Sequence, residues 1–484
     1  MLLKFQIYSD FNMESTTAIA PKTNVKVPAR SIIAYGVGDA GCNFCWTYVG
    51  NYLMFFYSNV LGVGMTAIAT LFLLSRIWDA INDPIVGMVS DRTRSKWGRY
   101  RPWLLFGAPI CSLVMVLTFW GSSQWSEGWK IAYMAVTYCT LVLAYTCVNL
   151  PYGTLCSAMT QNMDERAKIN TSRSVAAMLA INVINIITIP LIKLFGDGQQ
   201  ASAKGYLIVT ILYGLMFSAC HLFCFKNTKE VVEPVEEKKY SVWEQLKAVS
   251  RNTPYMLALL GQFMFGLVLY IRNSDLVYYF TYVEGNGDFL TIYSLITIVP
   301  ALIGAAAFPI AFRIIGNKGR TASFFAFTLG VSMFMLYFFS PTSSPVWFYL
   351  FGALTQFFFS GFNTAIYAVI PDCVEYGEWK TGVRNEGFQY AFISLGNKLG
   401  MALGTAGLAL WFGLTGFDSD AATQAGLKGL TYDAPAASID VMHHVFSTIP
   451  GVLWILTGIF LLFYKLDKKT YNNILGELDE RHGN

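Results

Sequence analysis

The sequence predicts an all-α membrane protein of twelve transmembrane helices, arranged as two pseudo-symmetric six-helix bundles. Three observations carry this. The 484-residue chain is 54% hydrophobic and only 13% charged, whereas soluble domains carry about 25% charged residues. Apolar stretches of about 20 residues, long enough to cross a bilayer, recur along nearly the whole chain. A polar stretch at residues 226–253 separates six of them from six others.

Taken in order, residues 1–30 lack the continuous apolar run of a secretory signal and read as a cytosolic tail. The N-terminal bundle covers 31–225, with spans near 31–57, 66–90, 102–122, 131–158, 171–194 and 205–225. The central cytosolic loop, 226–253, contains a capping-box pattern at Ser241 and Glu244 followed by an apolar stripe of Trp243, Leu246 and Val249, which predicts a short surface helix. The C-terminal bundle covers 254–465, with spans near 254–283, 289–313, 321–340, 345–371, 385–413 and 441–464, and 466–484 is a cytosolic tail. The long external loop 414–440 offers no pattern to interpret. The loop after span 2, "DRTRSKWGRYR", holds five Lys and Arg, and alternate loops are basic in the same way. The positive-inside rule then puts both termini on the cytosolic side of an inner (plasma) membrane. The nine cysteines lie in or beside spans and read as small buried hydrophobes.

The most informative stretch is "RIWDAINDP", residues 76–84, because it places charges inside an apolar run. Each charge at a bilayer centre costs about 2.5–3.5 kcal/mol on insertion scales. Arg76, Asp79 and Asp83 fall within roughly 60° of one another on a helix, and Asn82 adjoins Asp79. Two carboxylates and an amide oxygen in a dry bundle make a hard-oxygen site suited to a small cation or a proton. A buried Arg–Asp pair that only locks helices would need one carboxylate, not two. In span 4, Pro151 breaks the helix near Asn149, and Thr146 shares a face with Asn149. Thr146 is thus a candidate hydroxyl ligand for the same cation, and Asn149 a partner for sugar hydroxyls, with helix–helix hydrogen bonding as the alternative for both.

In span 1, Asn43 and Trp46 share a face, giving an amide and a ring surface that suit a sugar, while Asp39 reads as a gate contact. Arg173 in span 5 either snorkels to the surface or faces the cavity. Lys398 in span 11 lies about 21 Å along the helix from Arg384 and needs a partner or a substrate. Gly400 and Gly404 read as a close-packing pair. Before span 11, Asp372, Glu375 and Glu378 alternate with Lys380 and Arg384. They form either a solvated turn or a latch against the basic residues 92–101.

"GMVSDRTRSK", with Asp91 and Arg92, resembles the loop motif of the major facilitator superfamily. "RIWDAINDPIVGMVSDRTRSKWGRYRPWLLFGA", "NLPYGTL" and "PDCVEYGEWKTGVRNEG" together resemble the glycoside–pentoside–hexuronide:cation symporters, over about Tyr35 to Lys465. The resemblance implies a major-facilitator fold and a cation site at Asp79, Asn82, Asp83 and Thr146, taking Na⁺, Li⁺ or H⁺. It also implies a sugar site that includes Arg173 and Lys398. The melibiose-carrying branch has aspartates at the positions of Asn43 and Asn149 and a tryptophan at that of Gly153. Galactosides are therefore disfavoured, with Trp46 a substitute stacking surface. Two cations facing two amides suggest an anionic sugar, and the motif wording is similar to glucuronide carriers. A neutral xyloside or other glycoside is the alternative.

The expected function is cation-coupled glycoside symport by a monomer in the bilayer, without cofactor, nucleic-acid partner or enzymatic activity. No P-loop, HExxH or Ser/His/Asp constellation is visible, and there are four histidines. A membrane-embedded enzyme or sensor, or a lysolipid carrier, are the readings of other classes.

Overall fold

The computed structural model describes residues 26–160, 162–231, 242–382, 386–428, 430 and 432–482. The first helix, α1 (Ala29–Phe55), runs on through a π-turn at Phe56–Val60; α2 is Met65–Arg92. A π-turn at Trp103–Gly107 leads into α3 (Ala108–Thr118), followed by α4 (Glu127–Met159), α5 (Met163–Phe195) and α6 (Ala203–Asn227). The short α7 (Val242–Ser250) precedes α8 (Thr253–Tyr278), which continues through Tyr279–Val283. Then come α9 (Asp288–Ile315), α10 (Lys318–Met335), α11 (Pro345–Thr381) and α12 (Glu386–Leu414). The chain ends with α13 (Ser419–Leu427), α14 (Ala436–Phe446), α15 (Thr448–Leu462) and α16 (Lys468–His482).

All twelve apolar ranges contain helix, and eight helices among the described residues are long and apolar enough to cross a bilayer. The α2 helix, whose charges keep it outside those eight, also has an apolar outer surface: it exposes Leu73, Leu74, Ile77, Ile81, Ile85 and Met88. Such a surface matches lipid rather than water. Trp120, Trp125 and Tyr133 cluster edge-to-face, with Trp125 and Tyr133 centroids 5.1 Å apart. This is the aromatic composition favoured where lipid meets water. As the small-residue spacing predicts, α8 and α12 approach closely, because a Cβ on Gly400 or Gly404 would collide with the backbone of Phe263 or Leu267. The cysteines are free, and six of the nine are buried.

One apolar core is shared between the two halves, and it sits at the end away from the termini. It joins Phe55, Tyr57 and Phe119 of the first half to Tyr278, Phe280, Phe348 and Phe446 of the second. Hydrogen bonds stitch this seam, outer in the sense that it lies farthest from the termini. Ser58 Oγ lies 2.5 Å from the Tyr278 hydroxyl, Asn59 bonds Tyr282, and Thr423 on α13 donates to the Ser58 carbonyl at 3.1 Å. Lys193 and Asp288 add an ion pair at 2.6 Å. At the termini end each half keeps its own core, around Tyr35, Tyr100 and Tyr152 in one and around Tyr255, Val369 and Tyr464 in the other. The molecule is thus sealed at the end away from the termini, with separate cores at the other. The stretch 414–440, unreadable in the sequence, supplies part of the seal. Its α13 turns 87° from α12 and lies across the π-turn of α1.

The charged termini end differs from one expectation. Asp372 pairs with Lys318 at 2.7 Å, and Glu375 accepts from the Tyr471 hydroxyl of α16, so these two carboxylates are held within their own half rather than by residues 92–101. The basic loop is also held within its half. Glu230 accepts the backbone N–H groups of Arg99, Tyr100 and Arg101 at 2.8–3.0 Å, and Asp91 accepts the Tyr100 hydroxyl at 3.0 Å. Both Asp91 and Arg92 are exposed. Arg384 and Ser241 lie outside the described residues. The short helix α7 forms as expected, but of its stripe Val249 is buried while Trp243 is 76% exposed. The reason is the direction of packing, which is set by Ala248 and Val249 instead.

Three N–H groups converging on one carboxylate make Glu230 the anchor of the loop after α2. Glu230→Ala leaves these donors without their acceptor, at about 1–3 kcal/mol for an unsatisfied group. The expected result is faster proteolytic cleavage within 92–101 in membrane vesicles, with Glu230→Gln intermediate. Wild-type cleavage rates in Glu230→Ala would contradict the anchoring role.

Candidate cation and substrate site

The charges of α2 meet α4 and α12 at mid-height. Asp79 and Asn82 are buried, and the Asp83 side chain is 28% exposed. Thr146 Oγ1, one helical turn before Pro151 on α4, lies 3.4 Å from Asp79 Oδ1 and 3.4 Å from Asp83 Oδ1, so it bridges the two carboxylates. Asn82 presents both its amide oxygen and nitrogen, buried and without a protein hydrogen-bond partner. Three of the four residues of the expected cation site, Asp79, Asp83 and Thr146, therefore meet through oxygen atoms, and Asn82 precedes Asp83 on the same helix.

Lys398 lies elsewhere than the sequence suggests. Its amine sits 3.2 Å from Asp79 Oδ2 and makes a direct contact with Asp83 Oδ2, instead of standing among the sugar-site residues. The cause is helix placement: α12 packs against α2 across the halves, so a lysine deep in α12 meets the carboxylates. Arg76 Nη1 is more remote from Asp79, at 3.9 Å. Its guanidinium lies 5.6 Å from the Trp46 ring centroid, and Trp46 stacks on Tyr145 at 4.7 Å. The Trp46 ring, expected as an open sugar platform, is engaged by these two side chains.

Arg173 is likewise paired. Its Nε donates to Asp39 Oδ1 at 2.6 Å, and its side chain is 40% exposed. Asn43 donates to the Asp39 carbonyl at 2.9 Å and its carboxylate at 3.3 Å, while accepting from Thr47. Asn149 is half-buried. So α1 and α5 bring Asp39, Asn43 and Arg173 into one cluster, while α2, α4 and α12 bring Asp79, Asn82, Asp83, Thr146 and Lys398 into another. Asp372 and Glu375 pair with Lys318 and Tyr471 instead.

This geometry corrects the premise of surplus positive charge. Arg76, Arg173 and Lys398 are matched by Asp39, Asp79 and Asp83, three against three. The surplus came from counting Lys398 and Arg173 against amides, whereas each rests on carboxylates. Chemically, the Lys398 amine is the counter-charge that sits against both Asp79 and Asp83.

The family model of the MFS/sugar transport proteins matches residues 34–468. The chain belongs to this family. The MFS sugar transporter is 34% identical to an uncharacterised symporter, YnaJ, of Bacillus subtilis (94% of this chain, 96% of that one). It is 31% identical to the isoprimeverose transporter of Lactiplantibacillus pentosus (94% and 92%) and 30% identical to the glucuronide carrier protein homolog of Escherichia coli (95% and 97%). Its fold is that of a bacterial homologue of the human lysosomal transporter Spinster, with a TM-score of 0.66 at 11% identity (92% and 97% covered).

Two charged residues in this MFS transporter escaped the sequence reading. Arg272 and Asp275 are both buried within α8, in "GLVLYIRNSDLVYYF". The signal was the same as in α2, an i, i+3 pair of opposite charges inside an apolar run.

Proposed function

We propose that the chain is a cation-coupled symporter, driven by a Na⁺, Li⁺ or H⁺ gradient and carrying a glycoside across the membrane. The observation that carries this is the Lys398 amine lying on both Asp79 and Asp83, with Thr146 bridging the carboxylates. In the reading, a cation takes the two carboxylates, the Asn82 oxygen and the Thr146 hydroxyl, and Lys398 is released toward the substrate cavity. Coupling then follows, because the released ammonium becomes a substrate contact only when the cation is bound. Linkage makes the effect reciprocal in the binding free energies. Arg173 and Asn149 complete the substrate side, with the charges of 372–384 closing against the first half in the alternate state. In this reading the chain acts as a monomer with cytosolic termini, and the end that holds separate cores faces inward.

Adding one monovalent cation to the balanced cluster leaves a net charge of about +1 in a low-dielectric cavity. A carboxylate on the substrate would offset it, which favours a hexuronide such as a glucuronide. The 30% identity to a glucuronide carrier homolog supports this reading. The 31% identity to an isoprimeverose transporter favours the second one, a neutral pentoside-containing glycoside. The test is uptake into proteoliposomes of labelled phenyl glucuronide, xylosides and galactosides, each with an inward Na⁺ or proton gradient. Accumulation of the glucuronide that collapses with the gradient is expected. Accumulation of xylosides alone would establish the second reading, and chemically altered label would overturn transport altogether.

A further inference from the structure

Asp275 stands apart from the carboxylates already assigned. Its side chain has no exposed surface, and neither carboxylate oxygen accepts a hydrogen bond. It shares a face of the α8 helix with Ile271, Tyr278 and Tyr282, within about 60° of each. That face lies inside the outer seam. Tyr278 bonds Ser58 and packs against Phe55 and Phe412, Tyr282 bonds Asn59, and a Cβ on Gly404 of α12 would lie 2.9 Å from the Ile271 nitrogen.

The nearest cation on its helix is directed elsewhere. Arg272 Nε donates to the Phe446 carbonyl at 3.1 Å and Nη2 to the Tyr293 hydroxyl at 2.8 Å, with the guanidinium 4.7 Å from the Phe446 ring centroid. Among the described residues, Tyr278 and Tyr279, at and just beyond the end of α8, are the other titratable groups that interact with it, and Tyr279 in turn meets Glu284, His443 and Phe446, whose ring centroid lies 6.0 Å from that of Tyr293 of α9. From α1 and α12 the seam presents Ser58, Asn59, Phe55 and Phe412, which are neutral. A carboxylate enclosed without donors is strongly disfavoured as an anion and is stable as the neutral acid.

We propose that Asp275 is a proton-binding site, which holds a proton while the outer seam is closed and releases it to water when the seam opens. The site is independent of Asp79 and Asp83 and of the ion they take. It gives the transport cycle a proton-linked step located at the outer seam.

Infrared spectroscopy of the purified full-length protein at neutral pH tests this without any substrate. The wild-type minus Asp275→Asn difference spectrum should contain one protonated-carboxyl band, and that band should persist in the Asp79→Asn/Asp83→Asn double variant. Asp275→Glu should displace it, a second check should the asparagine variant fail to fold. No band lost in Asp275→Asn, or none displaced in Asp275→Glu, overturns the proposal. The seam is tested with a disulfide across it. A Cβ on Gly426 would lie 3.1 Å from the Ala201 Cβ, close to the roughly 3.5–4.5 Å of disulfide-linked pairs. In heavy water the acid band should exchange at least tenfold more slowly in oxidised Ala201→Cys/Gly426→Cys than after reduction. Equal rates would overturn release through the seam.

Discussion

Lys398→Gln should lose gradient-driven accumulation while becoming more dependent on its coupling cation for stability. In the wild-type chain the amine lies on Asp79 and Asp83 and serves as their resident counter-charge. Removing one partner of a buried pair costs about 3–5 kcal/mol, and the 34% exposure of the Lys398 side chain places this case at or below the low end. Without the amine, Asp79 and Asp83 face each other with only Thr146 between them and Arg76 at 3.9 Å. A cation then binds without having to displace anything, so its apparent affinity should rise about tenfold. That increase would appear as a larger rise in Tm on adding Na⁺ or Li⁺, or on lowering the pH for a proton-coupled carrier. The substrate, having lost the ammonium that the cation would release, should show a KM at least tenfold higher. A variant with unchanged cation-dependent Tm and unchanged KM would contradict the displacement mechanism.

Asp83→Cys should abolish cation-dependent uptake while sparing the fold. Asp83 is the more exposed of the two carboxylates, and it contacts Lys398 directly. Without it, the remaining oxygens of Asp79, Asn82 and Thr146 give a site with one negative charge, which the Lys398 amine satisfies alone. An incoming cation then gains too little to displace the amine, and accumulation should fall at least a hundredfold. On the proposed reading, exchange of labelled substrate with no gradient should be less affected, because Arg173, a further proposed substrate contact, rests on Asp39 rather than on Asp83. Undiminished gradient-driven accumulation would remove Asp83 from the cation site. Asp79→Asn provides the comparison. Asp79 also neighbours Arg76, so its loss should weaken substrate exchange as well as coupling.

The helical architecture could be read from the sequence because spans are written as composition and length, and both are local. The cation-site candidates of α2 were equally legible, since three charges in one apolar run are conspicuous wherever the helix ends up. The partner of Lys398 was not legible. Its contact with Asp83 joins positions 315 residues apart and depends on how α12 crosses α2. The same holds for Arg173, whose carboxylate comes from α1. Counting amides by analogy gave the pocket a surplus charge, and only the three-dimensional pairing removed it. Arg272 and Asp275 carried a readable local signal that was passed over. The outer helix α13 had none, because its polar residues acquire meaning only against the π-turn of α1.

The aromatic outer seal has a thermal consequence. Opening it would expose Phe55, Tyr57, Tyr278 and Phe446 to water, and exposing apolar surface raises heat capacity. The balance between sealed and open forms should therefore curve with temperature rather than follow a straight van't Hoff line. Cooling weakens apolar association, so chilling should favour the open form. Molar sulfate, by strengthening such association, should favour the sealed one.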